Sequence, residues 1–285
     1  MKKLNNISTE NLINWYITIV ANKAPSEIRD YLEEITDDIE EKYEEYLSKF
    51  NSIDLINIDE SEYPNNHAGL ISCYKSEGNS LKLLKKSIID EQVDDLKGVC
   101  QYCGILKPKT FDHYLPISIY PEFSCLAINL IPCCKDCNGK KLNYWKENNQ
   151  RGIINFYIDN VPNNQFLFGH VVFVSGIPHV KYHIQNPNGN IDALFYSIVE
   201  KHYSRLKLFN LYKEVSTDEL GEIIRTFKIY LQDPIPTIDY LRERLIIDAR
   251  QLQNQFGINY WRAILRLTLS ESQPFLNYLI DRITE

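Results

Sequence analysis

The amino-acid sequence predicts an α+β protein: a mainly helical chain with a small central module stapled by a four-cysteine metal site, and a C-terminal region in which a β-hairpin precedes further helices. Three observations predict it. Apolar residues recur at helical spacing through the first 95 or so residues. Two Cys-x-x-Cys pairs, Cys100/Cys103 and Cys134/Cys137, stand about thirty residues apart. Past residue 151 the pattern turns strand-like and then helical again. The expected segments are therefore 1–95, 96–150 and 151–285.

In the lead segment, Leu12, Ile13, Tyr16, Ile17, Ile19 and Val20 form one stripe, and Ile28, Tyr31, Leu32, Ile35, Ile39, Tyr43, Tyr46 and Leu47 continue it. The pattern breaks between Asn51 and Asn79, with Tyr63-Pro64-Asn65-Asn66 as loop. Helix resumes with Leu81, Leu84, Ile88, Ile89 and Val93 and ends near Gly98. The acid cluster from Glu33 to Glu45 predicts a solvated helix face, with a partner-binding or DNA-mimicking face as the sharper alternative. In the last segment, Phe166-Leu167-Phe168 with Val171–Val174, then His179–Ile184, predict two antiparallel strands joined around Gly176-Ile177-Pro178, with Asn186-Pro187-Asn188-Gly189 as the next turn. Ser216-Thr217-Asp218-Glu219 has the form of a capping box opening one helix. Asp233-Pro234-Ile235-Pro236-Thr237 ends that helix and starts another, and Tyr260–Leu269 and Phe275–Ile283 supply the last two. No repeat or low-complexity tract is present.

At 285 residues the chain can bury a sizeable core. It has no run of about 18 uncharged apolar residues, and Met1-Lys2-Lys3-Leu4-Asn5-Asn6 leads into a polar stretch, so a soluble, cytoplasmic protein without a membrane is expected. Seven cysteines, an odd number with four in two pairs, fit metal binding in a reducing compartment better than a disulfide framework. A net charge of −7 weighs against a phosphate partner. The distribution qualifies this: residues 1–96 carry 10 Lys and Arg against 20 Asp and Glu, whereas residues 97–151 carry 8 against 4.

That basic segment reads C-x2-C-x8-D-H-x15-N-x4-C-x2-C-N, from Cys100 to Asn138. Each knuckle offers two thiolates to one ion, which predicts a tetrahedral structural Zn2+ site on Cys100, Cys103, Cys134 and Cys137. In a module with little core, zinc binding of about 10–16 kcal/mol can supply most of the folding free energy. Cys73, Cys125 and Cys133 read as ordinary buried thiols, although Cys133 beside Cys134 could compete for the ion.

The cysteines do not explain Phe111-Asp112-His113-Tyr114-Leu115-Pro116, Asn129, or Asn138 after the last cysteine. With these the segment from Cys100 to Lys141 resembles the HNH endonucleases, in particular their zinc-containing branch, in which two knuckles bracket a hairpin and helix of the ββα-metal fold. Asp112-His113 matches the first signature, Asn129 the middle asparagine, and Asn138 the third position, where many members have His. The resemblance implies His113 as general base, since imidazole titrates near neutral pH. It implies Asp112 and Asn138 as oxygen ligands of Mg2+ or Mn2+, a second metal distinct from zinc, and products with 5′ phosphates. It also implies that the Asn129 amide braces the loop before the helix. Lys135, Lys140, Lys141 and Lys146, in or near the helix start, are candidate phosphate contacts or ordinary solvated lysines. His67, His170, His179, His183 and His202 fall in no comparable pattern and read as structural or exposed.

An Asp-His pair is usually a surface accident and an Asn after Cys usually a helix cap; it is their joint spacing inside two knuckles that points to phosphodiester hydrolysis. The expected substrate is nucleic acid, with double-stranded DNA first. A target of RNA or tRNA, and a non-catalytic zinc module binding nucleic acid or protein, are the alternatives. The wider layout is similar to stand-alone HNH proteins of bacterial restriction and anti-phage defence, including nuclease subunits beside an ATPase in Septu-type and retron-linked operons. It implies an ATPase or other operon-encoded partner, or a homo-oligomer, and the acidic lead suggests that the free enzyme repels DNA until such a partner engages.

Overall fold

The helices and strands observed make an α+β architecture. The structure, a computed structural model, describes residues 2–63, 67–161, 163–230 and 235–284. The chain divides into two compact units, Lys2–Val161 and Pro162–Glu285. The lead helices and the paired cysteines thus belong to the same unit, which runs on through Val161.

In the first unit, α1 (Ile13–Ala21), α2 (Glu27–Glu34) and α3 (Thr36–Asn51) bury the expected stripe: Tyr16, Ile19, Val20, Leu32, Ile39, Tyr43 and Tyr46 are all buried. The Tyr16 hydroxyl donates to the Leu32 carbonyl at 2.7 Å, tying α1 to the end of α2. Ile17 and Ile28, expected in the stripe, are exposed. The acidic residues from Glu33 to Glu44 lie on the solvated side, as charge patterning predicts, whereas Glu45 at the end of the cluster is half-buried and pairs with Lys42 at 3.3 Å. Helix α4 (His67–Lys75) occupies the interlude expected to be irregular. It buries Gly69, Leu70 and Cys73, and this stripe holds one large aliphatic residue, too faint for periodicity to reveal. Pro64, Asn65 and Asn66 of the expected loop lie outside the described residues. Helix α5 (Asn79–Asp90) buries Leu81, Leu84 and Ile88, then gives way to the short α6 (Asp94–Lys97), and Val93 between them is exposed.

Strands β1 (Thr110–His113) and β2 (Leu130–Cys133) pair antiparallel with His113 opposite Leu130, and α7 (Lys135–Lys141) follows β2 directly. A minimal hairpin, β3 (Lys146–Glu147) with β4 (Gln150–Arg151), comes next. Trp145, Ile153, Ile154, Phe156 and Tyr157 beyond α7 are buried, and Arg151 grips buried Asp159 with two nitrogens at 2.6 and 3.1 Å.

In the second unit, β5 (Leu167–Val174) and β6 (Ile177–Ile184) form the expected hairpin. Its turn is Ser175-Gly176, both at positive φ (52° and 79°), as a two-residue turn requires, so Ile177 and Pro178 already belong to β6. Helices α8 (Ala193–Leu206), α9 (Leu208–Tyr230), α10 (Ile238–Phe256), α11 (Trp261–Glu271) and α12 (Gln273–Thr284) complete it. Tyr212 stacks on Trp261 with ring centroids 6.1 Å apart, and Tyr182 meets Tyr212 edge-on at 5.5 Å. The capping box expected at Ser216 is not one. Helix α9 starts after Lys207, which takes a left-handed φ of 55°, and Ser216 is a buried mid-helix residue whose Oγ lies 2.6 Å from the Tyr182 hydroxyl. Thr237 does cap α10, its hydroxyl accepting from the Tyr240 N–H at 3.2 Å, whereas Asp233 and Pro234 lie outside the described residues.

Buried Asn259 organises the start of β5. Its side-chain oxygen accepts from the Phe166 and Leu167 N–H groups at 2.8 and 3.0 Å, and its amide donates to the Asn164 carbonyl at 3.1 Å. Asn259→Ala leaves these buried groups without partners. Urea unfolding of the full chain should show a loss of roughly 2–4 kcal/mol in the transition of the second unit; a change below about 0.5 kcal/mol, the scale of surface substitutions, would show the bonds to be dispensable.

Candidate metal centre and histidine site

The Cys100–Cys103 turn closes through the Cys100 N–H to the Leu106 carbonyl and the Gly104 N–H to the Cys100 carbonyl, both 2.7 Å, with Gly104 at φ 68°. The second knuckle is a helix start: Cys134 is the N-cap of α7 and its Sγ accepts from the Cys137 N–H at 3.4 Å. All four thiols are buried, and their sulfurs lie within 4.8 Å of one another, Cys103 and Cys134 at 4.0 Å. A tetrahedral ion with metal–sulfur bonds of about 2.3 Å needs sulfurs slightly under 4 Å apart, so the donors fit a metal ion such as zinc. Cys73, Cys125 and Cys133 are buried free thiols, as expected.

Strand β1 sends Asp112 and His113 to different surroundings. Asp112 is 2% exposed, and its Oδ2 accepts from the Tyr102 hydroxyl at 2.7 Å and from Lys141 Nζ at 3.0 Å. Burial raises its pKa, against the pull of Lys141 and Tyr102. Lys141 is 0% exposed and also donates to the His113 carbonyl at 2.8 Å. This corrects its expected role: α7 turns Lys141 inward as the counter-ion of Asp112, so it offers no open phosphate contact. Lys135 is exposed, and Lys140 and Lys146 are half-buried.

His113 is 9% exposed, with Nε2 2.8 Å from the Ser124 carbonyl oxygen. A carbonyl only accepts, so Nε2 carries the hydrogen and Nδ1 keeps its lone pair. The ring meets the edge of Tyr74, from α4, at a centroid distance of 4.3 Å. Burial lowers its pKa to about 4, which keeps it neutral at pH 7. Asn138 donates its amide nitrogen to Thr110 Oγ1 at 3.2 Å and to the Phe111 carbonyl at 3.4 Å, and its amide oxygen has no partner among the described residues.

Asn129 is 0% exposed. Its oxygen accepts from the Leu115 N–H at 2.8 Å and the Tyr46 hydroxyl at 3.2 Å, while its nitrogen donates to the Leu115 and Phe123 carbonyls at 3.1 and 3.3 Å. The Asn129 side chain thus bridges the two ends of the 114–129 loop. The Ser124 hydroxyl donates to the Leu70 carbonyl at 2.8 Å, which ties the loop to α4. Three contributors to the site carry no sequence signal of their own. Tyr102 stands inside the first knuckle among the cysteines; Tyr74 lies on α4, whose stripe is faint; and Ser124 acts through its backbone, which no side-chain pattern reports.

Fold and site thus define an α+β protein with a buried four-thiol centre beside a fixed, neutral histidine. No protein-family profile matches the chain, and no solved structure matches it. It is similar to "Protein ea31" of Escherichia phage lambda, 29% identical over an alignment of 192 residues, with 62% of this chain and 62% of that protein covered. The matched stretch is less than two thirds of that relative's length. Among the described residues no helix is long and apolar enough to cross a membrane.

Protein purified without added metal should contain about one zinc per chain, released when the thiols are titrated with a mercurial, and Cys134→Ser should lower that content and the stability together. A zinc-free protein with unchanged melting on chelation would show the cluster to be four thiols and nothing more.

Proposed function

We propose that the protein is an endonuclease of the zinc-containing HNH type that hydrolyses phosphodiester bonds of nucleic acid, DNA first among substrates. The observation that carries this reading is the fixed tautomer of His113. With Nε2–H held by the Ser124 carbonyl, Nδ1 is the free base, neutral at physiological pH. It would take the proton of a water attacking phosphorus, and the same carbonyl would steady the imidazolium as the 3′ oxygen departs. Zinc on Cys100, Cys103, Cys134 and Cys137 would supply the scaffold, and Lys135 and Lys140 at α7 would meet phosphate.

The expected Mg2+ or Mn2+ ligands fit unequally. The Asn138 oxygen is available, whereas Asp112 Oδ2 already receives two donors, so Asp112 fits through Oδ1 or once Lys141 yields. When bound, such a cation stabilises the charge that builds on the phosphate. The weaker likeness of the layout supports a cytoplasmic setting in restriction or anti-phage defence, with an operon-encoded partner such as an ATPase.

The buried Asp112–Lys141 pair favours a second reading, a non-catalytic zinc module in which these residues only hold the fold. Supercoiled plasmid, single strands and tRNA incubated with Mg2+ or Mn2+ separate the two. The nuclease reading expects metal-dependent cleavage that falls about 10²–10⁴-fold in His113→Ala at unchanged zinc content and helicity. If wild type and variant leave every substrate intact, the second reading stands.

A further inference from the structure

The β5–β6 hairpin packs one face and leaves the other open. Gly169, Val180 and Tyr182 face the second unit's helices: a Cβ on Gly169 would come 2.6 Å from Thr268 Oγ1 on α11, and Tyr182 bonds Ser216 on α9. The opposite face is made of the cross-strand pairs Phe168–His183, His170–Lys181 and Val172–His179, and ends at the turn in the exposed apolar pair Val174–Ile177. His170, Lys181 and His183 there are exposed, and Phe168, Val172 and His179 half-buried. The Phe168 and His183 rings stack at 5.9 Å with 26° between their planes, and His170 lies 5.9 Å from His183. In a chain whose acids outnumber its bases, no Asp or Glu occurs between Asp159 and Asp192.

We infer that this face binds a single-stranded stretch of polynucleotide. Flat rings accept the faces of bases, which an unpaired strand offers and a duplex hides in its stack. Lys181 between them meets phosphate, and the three imidazoles add N–H donors without a carboxylate in the hairpin to repel the backbone. The apolar Val174–Ile177 pair is confined to the turn end, and the rest of the face carries rings and polar groups, with binding of a protein instead of a strand left as an outcome of the test. The inference rests on the nucleic-acid reading above but needs no catalysis, so the two can fail separately.

Fluorescence anisotropy of the full chain, without added divalent cation, would compare a labelled 20-nucleotide DNA strand, the same strand in RNA and the matched duplex. We expect the strands to bind more tightly than the duplex. His183→Ala, Lys181→Glu and Phe168→Leu should each weaken strand binding about tenfold, whereas Lys213→Glu on α9 should leave it unchanged. Circular dichroism and melting identify any variant that misfolds, and Phe168→Leu tests stacking with apolar volume retained. Hairpin variants that bind as wild type does, a preference for duplex, or no strand binding at all would overturn the assignment. Plasmid cleavage is scored separately. Strand binding that depends on the hairpin, in a protein that cuts nothing, sinks the nuclease reading alone; cleavage by a protein whose hairpin variants bind and cut normally sinks this surface alone.

Discussion

Four sulfurs drawn to within 4.8 Å of each other are the constraint on which the geometry around His113 depends. The β1–β2 ladder has four residue pairs and α7 seven residues, and neither a two-stranded ladder nor two helical turns is stable alone in water. What fixes them is that Cys134 serves the cluster and the helix at once. Its sulfur joins the thiol group and caps α7, so the direction of the helix follows from the position of the sulfurs. From that direction come the Asn138 contact with β1 and the reach of Lys141 beneath His113.

Electrostatics then separates two neighbours on one strand. Asp112 is taken out of water and compensated by an ammonium and a phenol, a pair whose separation by removing one partner costs about 3–5 kcal/mol in comparable buried sites. His113, one residue on, has no counter-ion among the described residues; burial makes it neutral and a carbonyl fixes which nitrogen bears the hydrogen. A strand can hold a charged pair and a free base side by side because adjacent side chains point to opposite faces. A cation ligand at Asp112 therefore competes with Lys141, and the strength of that competition decides whether the pair is a resting state of a nuclease or a permanent strut.

Much of this was legible in the sequence where covalent spacing or strong periodicity carried it. The cysteine pairs, the hairpin and the α10 start at Thr237 follow from residue types at fixed offsets, whereas a bracing role for Asn129 came only from the family resemblance. What escaped depends on tertiary partners. Ser216-Thr217-Asp218-Glu219 has the letters of a capping box, yet Ser216 meets Tyr182 on β6 and the helix passes straight through the tetrapeptide. Lys141 differs from Lys140 by the one residue of rotation that points it into the core, which charge counts cannot see. Helix α4 buries one large aliphatic residue, Leu70, beside Gly69 and Cys73 and so leaves too faint a stripe, although it supplies Tyr74 against the histidine.

The lead helices therefore have a part in the site that their acidity conceals. Long loops are rarely buried because their backbone groups need partners. The 114–129 loop is buried because Asn129 bonds it internally, Tyr46 of α3 bonds Asn129, and α4 accepts the Ser124 hydroxyl. The carbonyl that sets the His113 tautomer is part of that loop, so the protonation pattern of the histidine depends on helices more than forty residues earlier in the chain. The acidic residues Asp37, Asp38, Glu40, Glu41 and Glu44 are exposed on α3, the helix that supplies Tyr46. A helix can thus present acids to solvent on one face while its other face helps to fix the hydrogen of a buried histidine.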